Sequence, residues 1–71
     1  MNNRNFKEQF QKFYQSKFHH TPSYMTISST LNSYTVAAID QNGVHLGIGT
    51  ASTKKQAEQF AAKDALKNLG A

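Results

Sequence analysis

The sequence has no cysteine, so it can form neither a disulfide framework nor a cysteine-based zinc site. No apolar run approaches the ~20 residues that a membrane-spanning helix requires, and the N-terminus lacks the apolar core of a secretory signal. These absences predict an intracellular protein, cytoplasmic or nuclear, without a membrane partner. With 71 residues, the chain is long enough for one small domain and too short for two.

Acidic residues are scarce as well. Four Asp and Glu stand against eight Lys and Arg, which gives a formal net charge of +4 and indicates a polyanionic partner. The carboxylates are scattered over different predicted elements, namely Glu8, Asp40, Glu58 and Asp64. We therefore expect no catalytic magnesium site, no catalysis by this chain and no cofactor. The adjacent His19 and His20 have no further ligand at zinc spacing, which favours a solvent-exposed turn over a metal site.

A first helix is predicted from Phe6 to Phe18. Its aromatic residues recur at helical spacing and share one face, which predicts a core stripe of Phe6, Phe10, Phe13, Tyr14 and Phe18. Asn5 followed by Glu8 is a plausible N-terminal cap, and Pro22 prevents the helix from continuing. The polar residues 1–5 are predicted to form a flexible lead-in.

Three strands are predicted in the middle of the chain. Residues 24–29 alternate as a short first strand, and residues 30–32 connect them to a second strand, Ser33–Ile39. Asn42-Gly43 is the strongest hairpin signal in the chain and is suited to a type I′ turn. The returning strand is then predicted at residues 44–50.

A second helix is predicted within residues 50–69. Thr53 can act as its N-cap, and Gln56 has the spacing of a capping box. Small and aliphatic residues fall on about half of the helical wheel, namely Ala57, Ala61, Ala62, Ala65, Leu66 and Leu69. Phe60, near the edge of the polar face, either folds back over the first helix or is an exposed contact. The order predicts an α+β fold, α-β-β-β-α, with both helices on one face of a three-stranded antiparallel sheet.

Lys54 and Lys55 follow the predicted cap directly. Cations at a helix N-terminus oppose the macrodipole, which favours anions there. A sequence that breaks a local rule often marks a functional site. Unpaired helix N–H groups beside two lysines would bind a phosphate backbone well, so the start of this helix is the candidate phosphate site.

The predicted hairpin carries apolar residues on both faces, although only one face can pack against the helices. Pairing across the turn would place Ile39 opposite Leu46 and Ala37 opposite Ile48. Under one interpretation the outer face docks a second copy or a partner domain through Ile39, Val44, Leu46 and Ile48. The alternative is that these aliphatic residues are scattered over a solvated surface, which is common.

Taken together, the residues from about Phe6 to Leu69 resemble the double-stranded RNA-binding domain. The matching motifs are Pro22-Ser23-Tyr24, Tyr34 and Val36, Gly49, Thr53-Lys54-Lys55-x-Ala57, Ala61-Ala62, Ala65-Leu66 and Leu69. The stretch KKQAEQFAAKDALKNL is especially similar to the C-terminal RNA-binding domain of ribonuclease III enzymes. The resemblance implies a non-catalytic domain over residues 6–71 that binds double-stranded RNA, either alone or as part of a ribonuclease III-like protein.

The resemblance also implies where the RNA is held. Domains of that family read the shape of A-form duplexes, reaching two minor grooves and the phosphates between them over ~16 base pairs. By analogy, Lys54 and Lys55 bridge the major-groove phosphates, Gln11 enters one minor groove, and residues 30–33 contact the other. The candidate RNA-binding residues are Lys7, Gln11, Lys12, Asn32, Ser33, Thr53, Lys54 and Lys55.

Three features depart from the family pattern. Glu58 replaces the third basic residue of the helix, Lys12 stands where a glutamate is common, and residues 30–33 lack a Gly-Pro-x-His segment. We expect weaker binding or a shorter footprint than a full family member has. The alternative function is a protein-interaction module that has kept the fold and lost RNA binding.

Overall fold

The computed structural model describes residues 5–71. Along the chain it contains, in order, α1 (Phe6–Phe18), β1 (Ser23–Thr30), β2 (Ser33–Ile39), β3 (His45–Ala51) and α2 (Lys54–Asn68). The strands form one antiparallel sheet in the order β1-β2-β3, and both helices pack on one of its faces. The predicted α+β architecture is confirmed. The predicted lead-in lies outside the described residues except for Asn5, which caps α1.

The start of α1 follows the predicted capping geometry. The Asn5 side chain accepts a hydrogen bond from the backbone N–H of Glu8 at 3.1 Å, which satisfies one of the unpaired donors of the first turn. The helix ends at His19, which adopts a left-handed conformation with φ of 61°. Pro22 then begins the extended segment that leads into β1.

The aromatic stripe of α1 is narrower than the sequence predicts. Phe10 and Tyr14 are buried, and Phe6 packs partly against the core. Phe13 is only half-buried, and Phe18 is exposed although its ring lies 4.7 Å from that of Tyr14. The last turn of α1 therefore contributes less to the core than the turns before it.

The alanine face of α2 packs against the sheet, as predicted, and makes its closest approach at β3. The core combines residues from α1, β2 and α2, namely Phe10, Tyr14, Val36, Ala38, Ala57, Ala61, Ala62 and Ala65. A Cβ atom added at Gly47 would lie 2.3 Å from the backbone nitrogen of Ala65, and one at Gly49 would lie 2.3 Å from that of Ala61. The helix backbone therefore approaches the strand so closely that neither glycine has room for a side chain.

The hairpin turn differs from the predicted type I′ geometry. That type requires positive φ at both central residues, whereas only Gly43 has it, with φ of 80°, and Asn42 does not. The Asp40 carboxylate accepts hydrogen bonds from the N–H groups of Asn42 at 2.8 Å and Val44 at 2.9 Å. Its carbonyl also accepts from Gly43 at 3.0 Å. The Asp40 side chain thus stabilises this turn by accepting hydrogen bonds from backbone groups close to it in sequence.

The predicted register of the hairpin is confirmed for one residue pair and wrong for the next. Ala37 lies opposite Ile48 as predicted, but Ile39 lies opposite His45 because the pairing shifts by one residue. The residue left over is Leu46, which packs against the core instead of lying on the outer face. A bulge of this kind re-aims the side chain at the irregular position.

The free edge of β3 is closed by side chains of α2. The N–H of Ile48 donates to the Asp64 carboxylate at 2.9 Å, and the Leu46 carbonyl accepts from the Asn68 amide at 3.0 Å. These contacts occupy backbone groups that would otherwise face solvent at a sheet edge. Within residues 5–71, neither helix has the length and hydropathy that crossing a membrane requires.

Candidate nucleic-acid interface

The N-terminus of α2 is built as the capping pattern predicts. Thr53 is extended, with φ of −126° and ψ of 153°, and its hydroxyl accepts from the N–H of Gln56 at 3.1 Å. Lys54 and Lys55 are exposed in the first turn, which contains no acidic residue. Across residues 5–71, neither lysine forms an ion pair. Both ammonium groups are therefore available to an external anion.

A shallow cleft of about 380 Å³ lies between the N-terminal halves of the two helices. Its lining, which we call the helix cleft, consists of Asn5, Lys7, Glu8, Gln11, Lys55 and Gln59. Three of the predicted RNA-binding residues, Lys7, Gln11 and Lys55, thus meet in one place although they come from two elements. Gln11 is exposed there, with its amide free to face a ligand.

Two predicted contacts already have acidic partners. The ammonium of Lys7 lies 2.6 Å from a carboxylate oxygen of Glu58, and it also lies 5.1 Å from the ring centroid of Tyr24. Lys12 lies 3.5 Å from Glu8, one helical turn earlier. The Lys12 and Glu8 side chains are 76% and 59% exposed, so this second pair is a weak surface contact that a phosphate can displace.

Gln59 connects the two helices in a way that its position on the polar face of α2 did not indicate. Its carbonyl oxygen accepts from the N–H groups of Phe6 at 2.7 Å and Lys7 at 3.1 Å. Its amide nitrogen donates to the Asn5 side chain at 3.2 Å. Gln59 therefore satisfies donors in the first turn of α1 from another element and fixes the position of Lys7 and its neighbours in the helix cleft.

The β1–β2 turn lies at the same end of the sheet as the start of α2. Tyr34 pairs with Ala51, two residues before the cap of α2. Asn32 is exposed in the turn, and Ser33 is half-buried, with its carbonyl accepting from the Thr30 hydroxyl at 3.4 Å. The connection is short, as predicted, because Thr30 and Ser33 already pair with each other.

Burial raises the pKa of two tyrosines, Tyr24 and Tyr14. Burial raises the pKa of Tyr24 to about 12, and the nearby negative charge of Glu58 adds to this effect. The Tyr24 hydroxyl is buried and has no hydrogen-bond partner among the described residues. Burial likewise raises the pKa of Tyr14, with a smaller contribution from Asp40. Both hydroxyls stay protonated at neutral pH.

The described part of the chain contains no group of three or more His, Asp or Glu side chains placed to share a metal ion. What residues 5–71 do offer is a set of exposed cations and amides at one end of the molecule. This arrangement can bind phosphates and hydroxyl groups.

A family model described as the double-stranded RNA binding motif matches residues 6–69. The chain belongs to this family. A search of curated proteins finds no match.

The partner of this chain is therefore double-stranded RNA, and the module is a non-catalytic binding module, as in the family to which it belongs. The matched range is the one over which the sequence motifs indicate the resemblance. The individual RNA-binding residues stay predictions, as does the narrower similarity to ribonuclease III enzymes.

Proposed function

We propose that this chain holds duplex RNA through its A-form shape, with phosphate contacts at the start of α2 and ribose contacts from α1. The observation that carries the proposal is the exposure of Lys54 and Lys55 beside the helix cleft that Gln11 also lines. In A-form RNA the bases of the deep major groove are out of reach, whereas phosphates and 2′-hydroxyl groups are accessible.

Each side chain has a physical role in this proposal. The N–H groups and dipole of α2 attract an anion, and the ammonium groups of Lys54 and Lys55 neutralise phosphates on the two sides of the major groove. The Gln11 amide can both donate to and accept from a 2′-hydroxyl group in one minor groove. Asn32 and Ser33 reach toward the second minor groove from the β1–β2 turn. Thr53 holds the helix start in place through its cap.

The proposed contacts predict a modest isolated affinity. Each phosphate neutralised contributes roughly 0.7 to 0.9 to the slope of log affinity against log salt. Two or three lysines therefore predict a slope of about −2 to −3. The loosely paired Lys12 is the first candidate for the third contact, since its partner Glu8 is itself exposed.

The test is the double variant Lys54→Ala, Lys55→Ala, assayed for binding to duplex RNA over a range of salt concentrations. We expect binding to fall below detection, with the circular dichroism spectrum unchanged because neither side chain packs in the core. The matched control is Lys63→Ala with Lys67→Ala, which removes the same charge from the far half of α2 and should keep most of the affinity. Unchanged affinity and salt slope in the first variant would contradict the proposed site.

We further propose that the chain is the RNA-holding part of a ribonuclease III-like protein. Support comes from the residues of α2, whose KKQAEQFAAKDALKNL stretch is similar to the RNA-binding domain of those enzymes. An antibody raised against this chain should detect, in its source cells, a protein that contains a nuclease domain. Detection of a product of only 7.9 kDa would contradict this parentage.

A second function, self-association through the outer face of the sheet, is favoured by one observation. The three strands contain no Asp, Glu, Lys or Arg and expose Met25 and Ile48, and Val44 is exposed in the turn before β3. A surface without charge can meet a second copy of itself without repulsion, although the protein carries a net charge of +4. Sedimentation at raised concentration distinguishes this proposal from an ordinary solvated sheet.

A further inference from the structure

We infer that Glu58 limits the RNA affinity of this chain by holding Lys7 away from phosphate. In this inference, which rests on the proposed function, Lys7 is a further phosphate contact that the free protein keeps occupied. Glu58 is then a residue that determines affinity without touching RNA. Three features support this inference: the strength of the Lys7–Glu58 pair, the position of Lys7 in the helix cleft, and a second hydrogen-bond partner for Glu58 once Lys7 has left.

The Lys7–Glu58 pair is short and partly shielded from solvent. Its nitrogen–oxygen distance is 2.6 Å, and the side chains are 37% and 18% exposed. The pair between Lys12 and Glu8 is longer, at 3.5 Å, and far more exposed. Because a charge pair gains strength as water is excluded from it, Glu58 competes with an incoming phosphate more strongly than Glu8 does.

The position of Lys7 makes it a natural phosphate ligand once it is released. Lys7 lines the same helix cleft as Lys55 and Gln11, which are the contacts proposed on each side of it. Its backbone is fixed there by Gln59, which accepts from the Lys7 N–H at 3.1 Å. A small movement of the flexible side chain would therefore expose a third ammonium group beside the first two.

Tyr24 contacts Lys7 and can supply a replacement partner for Glu58. The Lys7 ammonium sits 5.1 Å from the Tyr24 ring centroid, and because the ring face attracts a cation, this contact helps Glu58 to hold Lys7 in the free protein. The Tyr24 hydroxyl is buried, has no hydrogen-bond partner within residues 5–71 and lies close enough to Glu58 to respond to its charge. When Lys7 turns toward RNA, this hydroxyl can donate to the Glu58 carboxylate, which is then not left unpaired.

The test is Glu58→Gln, which keeps the shape of the side chain and removes its charge. With Lys7 free, we expect the magnitude of the salt slope for duplex RNA to rise by roughly 0.7 to 0.9, the contribution of one phosphate. At 0.1 M salt this corresponds to about a five- to eightfold gain in affinity. The same substitution made together with Lys7→Met should give no gain, because the lysine it would release is absent.

Asp64→Asn is the matched control. It removes one negative charge from the same helix while keeping an oxygen to accept from the Ile48 N–H, so we expect a change in affinity of less than twofold. Glu58→Ala, measured in the same series, shows whether an effect of Glu58→Gln comes from the loss of the carboxylate or from a folding defect caused by the glutamine. Melting temperatures of all variants establish that the compared proteins are folded.

The outcomes separate the inference from the proposed function. If wild-type protein binds duplex RNA but Glu58→Gln and Glu58→Ala leave affinity and salt slope unchanged, the inference is wrong and the proposed function stands. An equal gain in the Lys7→Met background would also overturn it, since the effect would then be a general loss of negative charge. If wild-type protein does not bind duplex RNA, both fail.

Discussion

At the scale of single residues, Gln59 shows how one side chain can position a binding surface. Its carbonyl oxygen accepts two N–H groups of α1, and its amide donates to the cap residue Asn5. The first turn of α1 therefore depends on a residue more than fifty positions away. Any tilt of α1 relative to α2 would change the spacing between Gln11 and Lys55 across the helix cleft.

The corresponding prediction concerns Gln59→Met, which keeps the length of the side chain and removes its polar atoms. Two donors at the start of α1 lose their acceptor, so we expect the free energy of unfolding to fall by about 1 to 3 kcal/mol. Gln59→Glu is the control, because its carboxylate still accepts from both N–H groups. Urea unfolding measures both variants, and equal stability of Gln59→Met and wild type would show that these hydrogen bonds contribute nothing.

A second residue-scale prediction follows from the raised pKa of Tyr24, which burial and then Glu58 move to about 12. In the unfolded chain the pKa is near 10, so between pH 10 and pH 12 the unfolded state releases its proton first. The free energy of unfolding is therefore unaffected by Tyr24 ionisation below pH 10 and falls as the pH rises from 10 through 12, because the folded state disfavours the phenolate.

The measurement compares the free energy of unfolding of wild type and Tyr24→Phe from pH 8 to pH 12. We expect the wild-type value to fall relative to that of Tyr24→Phe across the upper part of this range. At neutral pH the variant should equal wild type or exceed it by about 1 kcal/mol, because it removes a buried hydroxyl without a partner. Parallel curves over the whole range would contradict the assignment.

Residue-level contacts were predictable only where they are local in sequence. The caps at Asn5 and Thr53 follow from the three-residue spacing between each cap residue and its partner, which can be read directly from the sequence. The contacts of Gln59 with α1 and of Glu58 with Lys7 join residues about fifty positions apart. No spacing rule within α2 indicates them, because they depend on how the two helices meet.

At the scale of elements, the close approach of α2 to β3 is the feature that most restricts substitution. Gly47 and Gly49 lie against the helix backbone, where an added Cβ atom would meet main-chain atoms at 2.3 Å. Backbone atoms cannot rotate away as a flexible side chain can. A methyl group at either position would therefore force α2 to move away from the sheet.

We accordingly predict that Gly49→Ala lowers the free energy of unfolding by about 3 kcal/mol or more, by overpacking. Gly43→Ala is the matched control, because Gly43 has open space around it and only its positive φ of 80° opposes a side chain. That control should lose about 1 to 2 kcal/mol. Thermal unfolding of both variants is the measurement, and a Gly49→Ala protein as stable as the control would contradict the described packing.

The elements themselves were largely predictable, and the hairpin was the exception. The period of the aromatic residues predicts α1, and the run of β-forming residues predicts β2, both with the bounds that the structure has. The predicted type I′ turn is wrong because the Asp40 carboxylate, which accepts two backbone N–H groups, favours a different turn from the one that Asn42-Gly43 alone indicates. The resulting bulge also moved Leu46 to the core, which strict alternation could not indicate.

At the scale of the whole molecule, charge is divided between layers. Within the described residues, Lys, Glu and Asp lie on the helices and, through Asp40, in the hairpin turn, whereas the sheet has none. The exposed cations thus lie in the helical layer, and the opposite face of a body only 16 Å thick is uncharged. This division would place the proposed RNA site and the proposed self-association on separate surfaces.

The size of the outer face predicts that any self-association is weak. Three strands of about seven residues present roughly 300 Å², well below the ~800 Å² per partner of a standard stable interface. We expect a concentration-dependent shift in sedimentation only at high protein concentration, and its loss in Ile48→Lys. Ser16→Lys, which adds the same charge on the exposed surface of α1, should leave it unchanged. A strict monomer at every concentration would contradict the proposal.

The proposed function requires the module to recognise a ribonucleotide double helix by its shape and not merely by its charge. Competition binding at one fixed salt concentration tests it most directly, with duplex RNA, duplex DNA, an RNA–DNA hybrid and single strands of the same sequence. We predict that duplex RNA competes best, because it alone presents two strands of 2′-hydroxyl groups in A-form geometry. Equal competition by all four would reduce the interface to general polyanion affinity and contradict the account.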